Sequence, residues 1–439
     1  MTTIKRHSEL ATSLQKLGVA PSALTTGSDA AKAALEAGTG ALAKKTARAL
    51  LELDAASLKA LRALMGAAKE PAPSVVAGGG GAGVRRDDVE SKLPRAPDAE
   101  RALAIYRPKQ KSAERPFERF LVHAARLHDE LSGPNGKLML TDPKVAEGVR
   151  KQLFMLEGLA RFYEERGPSK KMEKALDRIK ELEDTIGAFG YASDMRSSAK
   201  DLQGLPAGTP ERLDRAVAKA QKDLAAVLED GWLPSSGRSE RLNDLVDTFA
   251  KIDFGSEKKD RAFVKEQLAR TCDELAHADL DMNDLEGGVH ELRRQLRWLP
   301  ITMIALDGLV SLDEKTDGPI AAFAKLKSEP VAQSPFARLP TSSVPNADKQ
   351  PIEIPWTLFL ALSQAIGDLG KIKDAGQAIE GLALTLEDAV PKKDAHHEAE
   401  RLLGNVGGLA RVHADATRIA TDLTNSGLLE ALAAAFKDA

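Results

Sequence analysis

The sequence predicts an all-α protein that contains two copies of one helical module. Three short phrases occur twice, and they return in the same order. The pairs are Ala125–Leu131 with Ala269–Leu275 (Ala-Arg-x-x-Asp-Glu-Leu), Arg150–Leu156 with Arg293–Leu299 (Arg-Lys/Arg-Gln-Leu-x-x-Leu), and Ile186–Asp194 with Ile366–Asp374 (Ile-Gly-x-x-Gly-x-x-x-Asp). Three matches in register indicate a duplicated structural unit.

Composition supports the helical class. Of the 439 residues, 43% are hydrophobic and 29% charged, which is enough for a globular core in more than one unit. Only 4% are aromatic, which argues against a sheet-dominated fold, and apolar residues recur with a 3.6-residue period outside the loops. The net charge of -3 gives no general bias towards polyanions, so an anion site has to be a local cluster.

The N-terminal hundred residues predict a separate organisation. Residues 1–69 contain short Ala-rich and Leu-rich segments between Gly and Pro signals, which predict a small helical appendage. Residues 70–100 include the run Gly78–Gly81 and flanking prolines, a composition typical of a flexible linker.

The two repeats follow this linker. The first covers residues 101–234 and the second residues 235–439. The second and third phrases begin 36 residues apart in the first repeat (Arg150 to Ile186) but 73 apart in the second (Arg293 to Ile366), which indicates an insertion. Residues 329–355 contain six prolines, which forbid a continuous helix and predict a long loop laid over the bundle.

The strongest candidate for chemistry is the helix around the second arginine phrase. Its apolar stripe consists of Val289, Leu292, Leu296, Leu299 and Met303, whereas His290, Arg293, Arg294 and Arg297 share another face. Guanidinium groups at this spacing can hold phosphate oxygens, and a histidine adds a proton-dependent donor. The alternative is an ordinary solvated face, neutralised by carboxylates such as those of Glu286 and Glu291. Pro300 predicts a kink or an end of this helix near Leu299.

These phrases resemble the signature of the CHAD family, the conserved histidine α-helical domain. The resemblance lies in Asp142–Arg150 and more clearly in His290-x-x-Arg293-x-x-x-Arg297, with Ile186-Gly187 and Ile366-Gly367 similar to a later Leu-Gly phrase of the family. It spans residues 101–439. It implies two four-helix bundles related by a pseudo-two-fold axis, with a basic groove between them that binds inorganic polyphosphate.

Carried over residue by residue, the resemblance implies a polyanion site made of His290, Arg293, Arg294 and Arg297 in the second half, faced by Arg150 and Lys151 in the first. The sequence departs from the family at positions where positive charge is expected, namely Glu147, Phe154, Met155, Gly190 and Gly370. Residues 233–439 also hold 24 Lys and Arg against 33 Asp and Glu. The alternative is therefore a divergent helical scaffold for protein–protein interaction that has lost the polyanion site.

Other functional classes find little support in the sequence. It contains no Gly-rich phosphate loop, nucleophile elbow or carboxylate–histidine arrangement, so we expect no enzyme and no cofactor. The histidines lack zinc spacing, Asp279-x-Asp281-x-Asn283 is a poor calcium loop, and Cys272 is expected to be a small buried hydrophobe. We expect no sequence-specific nucleic-acid binding and no membrane span. The expected location is the cytoplasm, with polyphosphate granules as an extension of the polyphosphate hypothesis.

Overall fold

The computed structural model describes Leu14 and residues 95–109, 114–315, 318–343, 351–404 and 407–439. One compact unit extends from Arg86 to Ala439, and the description below concerns that unit. The predicted helical appendage at 1–69, apart from Leu14, and the predicted linker up to residue 94 lie outside the described residues.

The described residues are mostly helical, which confirms the predicted class. The helices before residue 234 are α1 (Pro97–Tyr106), α2 (Glu114–Leu131), α3 (Gly133–Leu138), α4 (Pro143–Phe162), α5 (Ser169–Ala199) and α6 (Thr209–Glu229). Those that follow are α7 (Glu240–Phe249), α8 (Glu257–Ala276), α9 (Glu291–Ala305), α10 (Trp356–Leu386), α11 (Lys392–Leu403), α12 (Gly408–Asn425) and α13 (Leu428–Asp438). A π-helical segment, Leu285–His290, leads directly into α9.

Side-chain caps explain where several helices begin. The Asp142 carboxylate accepts a hydrogen bond from the Lys144 amide, and a proline occupies the first position of α4. Ser239 and Ser256 cap α7 and α8 in the same way. Asp284 accepts hydrogen bonds from the amides of Glu286 and Gly287, and thereby caps the π-helical segment. Asp284, at the end of the acidic segment that precedes α9, is thus the capping residue.

Both copies of each repeated phrase fall on α-helices. The first pair lies on α2 and α8, the second on α4 and α9, and the third on α5 and α10, which are both 31 residues long. Helix α4 packs against both α5 and α9, and α9 also contacts α10. The approach of α4 to α9 is close, because a Cβ atom on Gly158 would lie 3.1 Å from Ile301 Cγ2. The two arginine phrases therefore lie on helices that touch.

The main core is an apolar cluster that draws on helices from both parts of the unit, and a second buried cluster packs α10 against α11 through residues such as Ile379 and Ala395. Among the members of the main core, Phe120, Tyr163, Phe249 and Phe254 make ring contacts with centroids 4.4–6.0 Å apart. Cys272 is fully buried, as predicted, and burial raises the pKa of its thiol to about 12.

A buried ion pair fastens α2 to α8 within this core. Arg119 Nη1 lies 2.8 Å from Asp260 Oδ2, and Tyr163 donates a hydrogen bond to the other oxygen of Asp260 at 2.9 Å. Arg119 and Asp260 are 2% and 1% exposed. Losing either charge would leave the other buried without this partner, so breaking the pair should be strongly destabilising.

The insertion between α9 and α10 corrects the sequence prediction in part. Its described residues between 329 and 355 contain no α-helix, in agreement with the six prolines, but they include a strand as well as loop. Strand β2 (Ile352–Pro355) pairs in parallel with β1 (Val310–Asp313), and 3₁₀ turns form at Ala321–Ser328 and Pro330–Gln333. Ile352 and Ile354 are fully buried, so every second side chain of this short strand packs into the apolar core.

Pro300 does not end α9, which continues to Ala305. The proline lacks only one amide donor, whereas Ile301, Met303 and Ala305 beyond it are all buried. Burial of this last turn against α4 outweighs the lost hydrogen bond. The predicted apolar stripe from Val289 to Met303 is buried at every position, which confirms that part of the prediction.

Candidate functional site

A cavity of about 410 Å³ lies between α4, α5, the π-helical segment and α9. Its lining is rich in charge of both signs. The basic members are Arg150, Arg161, Lys180, His290, Arg294 and Arg297, and the acidic members are Glu157, Glu183, Asp184, Glu286 and Glu291. Phe154, Gln295, Trp298 and Ile301 complete the wall.

Arg150 reaches the cavity from α4 and is held on three sides. Its Nη2 lies 2.6 Å from Glu183 Oε1, and the weaker contact with Glu147 is 3.8 Å long. Its guanidinium carbon is 5.2 Å from the centre of the Phe154 ring. A Cβ atom on Gly187 would lie only 3.0 Å from Arg150 Nη2, so the glycine of the third phrase makes room for this side chain.

Arg297 enters from α9 and lies over the same aromatic ring, 5.0 Å from the centre of Phe154. Among the described residues it forms no hydrogen bond and no ion pair with a carboxylate. Burial lowers the pKa of Arg297 to about 10, and repulsion from Arg293 and Arg150 adds to the effect, whereas the charges of Glu183 and Glu147 oppose it. Arg297 is thus a half-buried cation beside two others.

Arg293 lies one turn before Arg297 and turns towards α10. A Cβ atom on Gly370 would lie 3.0 Å from Arg293 Nε, and this buried nitrogen makes no hydrogen bond in the described structure. Burial lowers the pKa of Arg293, Asp374 opposes that shift, and Arg150 reinforces it. Arg150, the first residue of the phrase Arg150–Leu156, therefore lies against Gly187. Arg293, the first residue of the phrase Arg293–Leu299, lies in the same way against Gly370.

The remaining predicted site residues have different surroundings. His290 lines the cavity, with Nδ1 2.9 Å from a Glu286 oxygen but without the alignment of a hydrogen bond. Arg294 also lines the cavity and pairs with Glu291 within its own helix. Lys151 is exposed and is not part of the cavity wall. Of the six predicted residues, Arg150, His290, Arg294 and Arg297 line the cavity, and Arg293 lies beside it.

Two buried carboxylates were not predicted from the sequence. Glu157 is 1% exposed and Glu183 is 4% exposed, and both line the cavity. Glu157 Oε1 accepts hydrogen bonds from Nε and Nη2 of Arg161 at 2.9 and 2.7 Å, whereas its Oε2 accepts none. Burial raises the pKa of Glu157, and the Arg161 hydrogen bonds oppose that shift. A lone charge within the apolar run from Leu156 to Leu159 was the available signal.

Glu183 lies in the segment from Lys170 to Asp184, where basic and acidic residues alternate, a pattern that predicts a solvated, salt-bridged helix face. The structure corrects this for one member. Glu183 is buried and holds both Arg150 and Lys180, the latter at 3.1 Å, while Asp184 is exposed and also contacts Lys180. The alternating charges have the same spacing in either environment, so the sequence alone does not separate the buried carboxylate from the exposed one.

Comparison with protein-family models, curated proteins and solved structures finds no match to this chain. No helix in the described part of the chain has the length and apolarity needed to cross a membrane. The geometry of the cavity is therefore the main basis for a functional conclusion.

Proposed function

We propose that this chain is a non-enzymatic phosphate-binding protein, whose ligand is inorganic polyphosphate and whose site is the arginine cluster of Arg150, Arg293 and Arg297. One observation carries the proposal. Arg297 is a half-buried cation with no carboxylate partner among the described residues, and two further arginines repel it. Such an arrangement costs free energy in the unliganded protein, and an anion bound beside it would recover that cost.

The chemistry of the cluster suits phosphate oxygens. Guanidinium groups stay charged at all physiological pH values and donate paired hydrogen bonds that match phosphate geometry. Phe154 supplies an apolar surface that holds Arg150 and Arg297 at similar distances, 5.2 and 5.0 Å. His290 lies on the same cavity wall and adds a donor when it is protonated. Arg294, on that wall, and exposed Lys151 are the outer members of the proposed site.

The duplicated CHAD-like architecture is part of this proposal, and the contacts between α4 and α9 support it. Phe154 and Arg297 occupy equivalent positions in the second phrase, and they contact each other. Continued by one turn, the same alignment makes Gly158 equivalent to Ile301, and a Cβ atom on Gly158 would lie 3.1 Å from Ile301 Cγ2. Contacts between equivalent residues are what a pseudo-two-fold axis between the two helices would produce. A cytoplasmic location with polyphosphate granules goes with this assignment.

A second candidate is a helical scaffold for a protein partner, and the acidic part of the cavity favours it. Glu183 neutralises Arg150, and Glu291 neutralises Arg294, as expected for a site that has lost its ligand. The Pro-rich insertion also presents Phe336, which is 73% exposed. This candidate leaves Arg297 unexplained, and for that reason we place it second.

Polyphosphate binding by the full chain tests the proposal across a series of salt concentrations. We expect binding that weakens as salt rises and that is strongly reduced in an Arg293→Met, Arg297→Met double variant. The matched control is Arg411→Met, Arg418→Met, which removes the same charge from two exposed positions on α12. Equal loss in both variants would indicate general charge attraction, and no binding at low salt would refute the proposal.

A further inference from the structure

The charge balance of the cavity wall limits how a polyphosphate chain can bind. Five carboxylates line the same space as the arginines, and two of them, Glu157 and Glu183, are buried there. Every internal phosphate of a chain carries negative charge, so a chain that ran through the cavity would meet these carboxylates along its length. Arg297 is the cavity arginine without a carboxylate partner among the described residues. The cavity can therefore bind a compact anion at this side chain.

The buried carboxylate of Glu157 adds a requirement of a different kind. Oε2 of this 1% exposed side chain accepts no hydrogen bond, although Arg161 occupies Oε1 twice. An unsatisfied buried acceptor costs free energy that a donor would recover. Glu157 lines the cavity, so a group that enters the cavity is an available source of that donor. A fully deprotonated oxyanion has no hydrogen to give.

We infer that the cavity binds the end of a phosphate chain, with the terminal phosphate held by Arg297 and its P–OH group donating to Glu157 Oε2. This inference rests on the proposed function and makes it more specific. A terminal phosphate has a second ionisation near pH 6, as a phosphate monoester does, so it keeps a proton to donate in a measurable fraction at neutral pH. Internal phosphates of the chain have no such proton, and neither does sulfate.

Two measurements on the unmodified full chain test this inference at pH 7.5 and fixed ionic strength. In the first, size-fractionated polyphosphates of increasing length are titrated by calorimetry. Binding at ends predicts at most two protein molecules per chain, whatever its length. A number that rises in proportion to length would overturn end binding while leaving the polyphosphate proposal intact. If neither polyphosphate nor orthophosphate binds, the proposed function itself fails.

The second measurement compares orthophosphate with sulfate. We expect sulfate to bind about tenfold or more weakly, since it leaves a buried carboxylate facing an oxyanion without a proton between them. Equal affinities would overturn the role of Glu157. The variant Glu157→Gln places an amide donor at this position, so sulfate should then bind to within a few-fold of phosphate. Glu173→Gln, at an exposed position on α5, is the matched control and should keep the discrimination.

Discussion

Removing Arg297 should make the unliganded protein more stable. In most folded proteins, loss of a half-buried arginine destabilises, because its hydrogen bonds and ion pairs are lost with it. Arg297 has neither among the described residues, and it is repelled by Arg293 and Arg150. Arg297→Met keeps the length and most of the apolar stem of the side chain while removing the charge, so the change isolates the electrostatic cost.

The magnitude follows from the pKa of Arg297, which is lowered from 12.5 to about 10. At 1.36 kcal/mol per pKa unit this corresponds to an upper limit of about 3 kcal/mol of unfavourable free energy. Screening by solvent reduces this roughly by half, because the side chain is partly exposed. Loss of the contact with the Phe154 ring costs about 0.5–1 kcal/mol. The expected gain for Arg297→Met is therefore about 1 kcal/mol in the free energy of unfolding.

Urea unfolding followed by tryptophan fluorescence measures this gain, since Trp232, Trp298 and Trp356 all lie in the unit from Arg86 to Ala439. The midpoint should rise with little change in slope. Arg294→Met is the matched control from the same helix, and because Arg294 is an exposed member of a local ion pair, its effect should stay within about 0.5 kcal/mol. A loss of 1 kcal/mol or more in Arg297→Met would refute the reasoning and make Arg297 a structural residue.

Three further predictions follow from other parts of the fold. Burial lowers the pKa of His123 from 6.5 to about 4, so the folded state resists protonation of this side chain. The free energy of unfolding should therefore fall by about 3 kcal/mol as the pH drops from 6.5 to 4. His123→Gln should flatten this pH profile, as measured by urea unfolding. Gly367→Ala should stabilise α10 by about 0.5–1 kcal/mol, because the new Cβ meets open space. Gly370→Ala should stabilise it less and should weaken polyphosphate binding, because the new Cβ displaces the Arg293 side chain. Thermal unfolding measures the stability of the two variants, and calorimetry measures their polyphosphate binding. Asp260→Asn removes a negative charge that faces buried Arg119, and a loss of roughly 3 kcal/mol in urea unfolding is expected, while no loss would show that α2 and α8 do not depend on the pair.

The helical class and the buried stripe of α9 were predictable because a 3.6-residue period is a local property of the chain. The same holds for the Asp284 cap, which acts within three residues. The strand β2 was not predictable from local pattern. Its partner β1 lies about forty residues earlier in the chain, and a four-residue strand beside prolines has little signal until it pairs.

Four of the residues singled out from the sequence line one cavity in the structure, whereas the buried carboxylates of that cavity were not predicted. Arg150 and Arg297 were found because they belong to phrases that occur twice, and the structure shows them over one ring. Whether a carboxylate is buried depends on which helices pack over it, and this is a tertiary property. Glu157 lies on α4 and is buried where α9 packs beside it, and the sequence does not show which helices pack together.

The most direct test of the central claim is a thermodynamic cycle that combines Arg297 with the ligand. Urea midpoints are measured for the wild-type chain and for Arg297→Met, each with and without polyphosphate. Our account predicts that the variant is the more stable protein without ligand. Polyphosphate at a hundredfold excess over the dissociation constant should raise the free energy of unfolding of the wild type by up to about 2.7 kcal/mol, and its midpoint with it, but should hardly change either value in the variant. An equal shift of the urea midpoint in both proteins, or no shift in the wild type, would contradict the claim that Arg297 binds an anion.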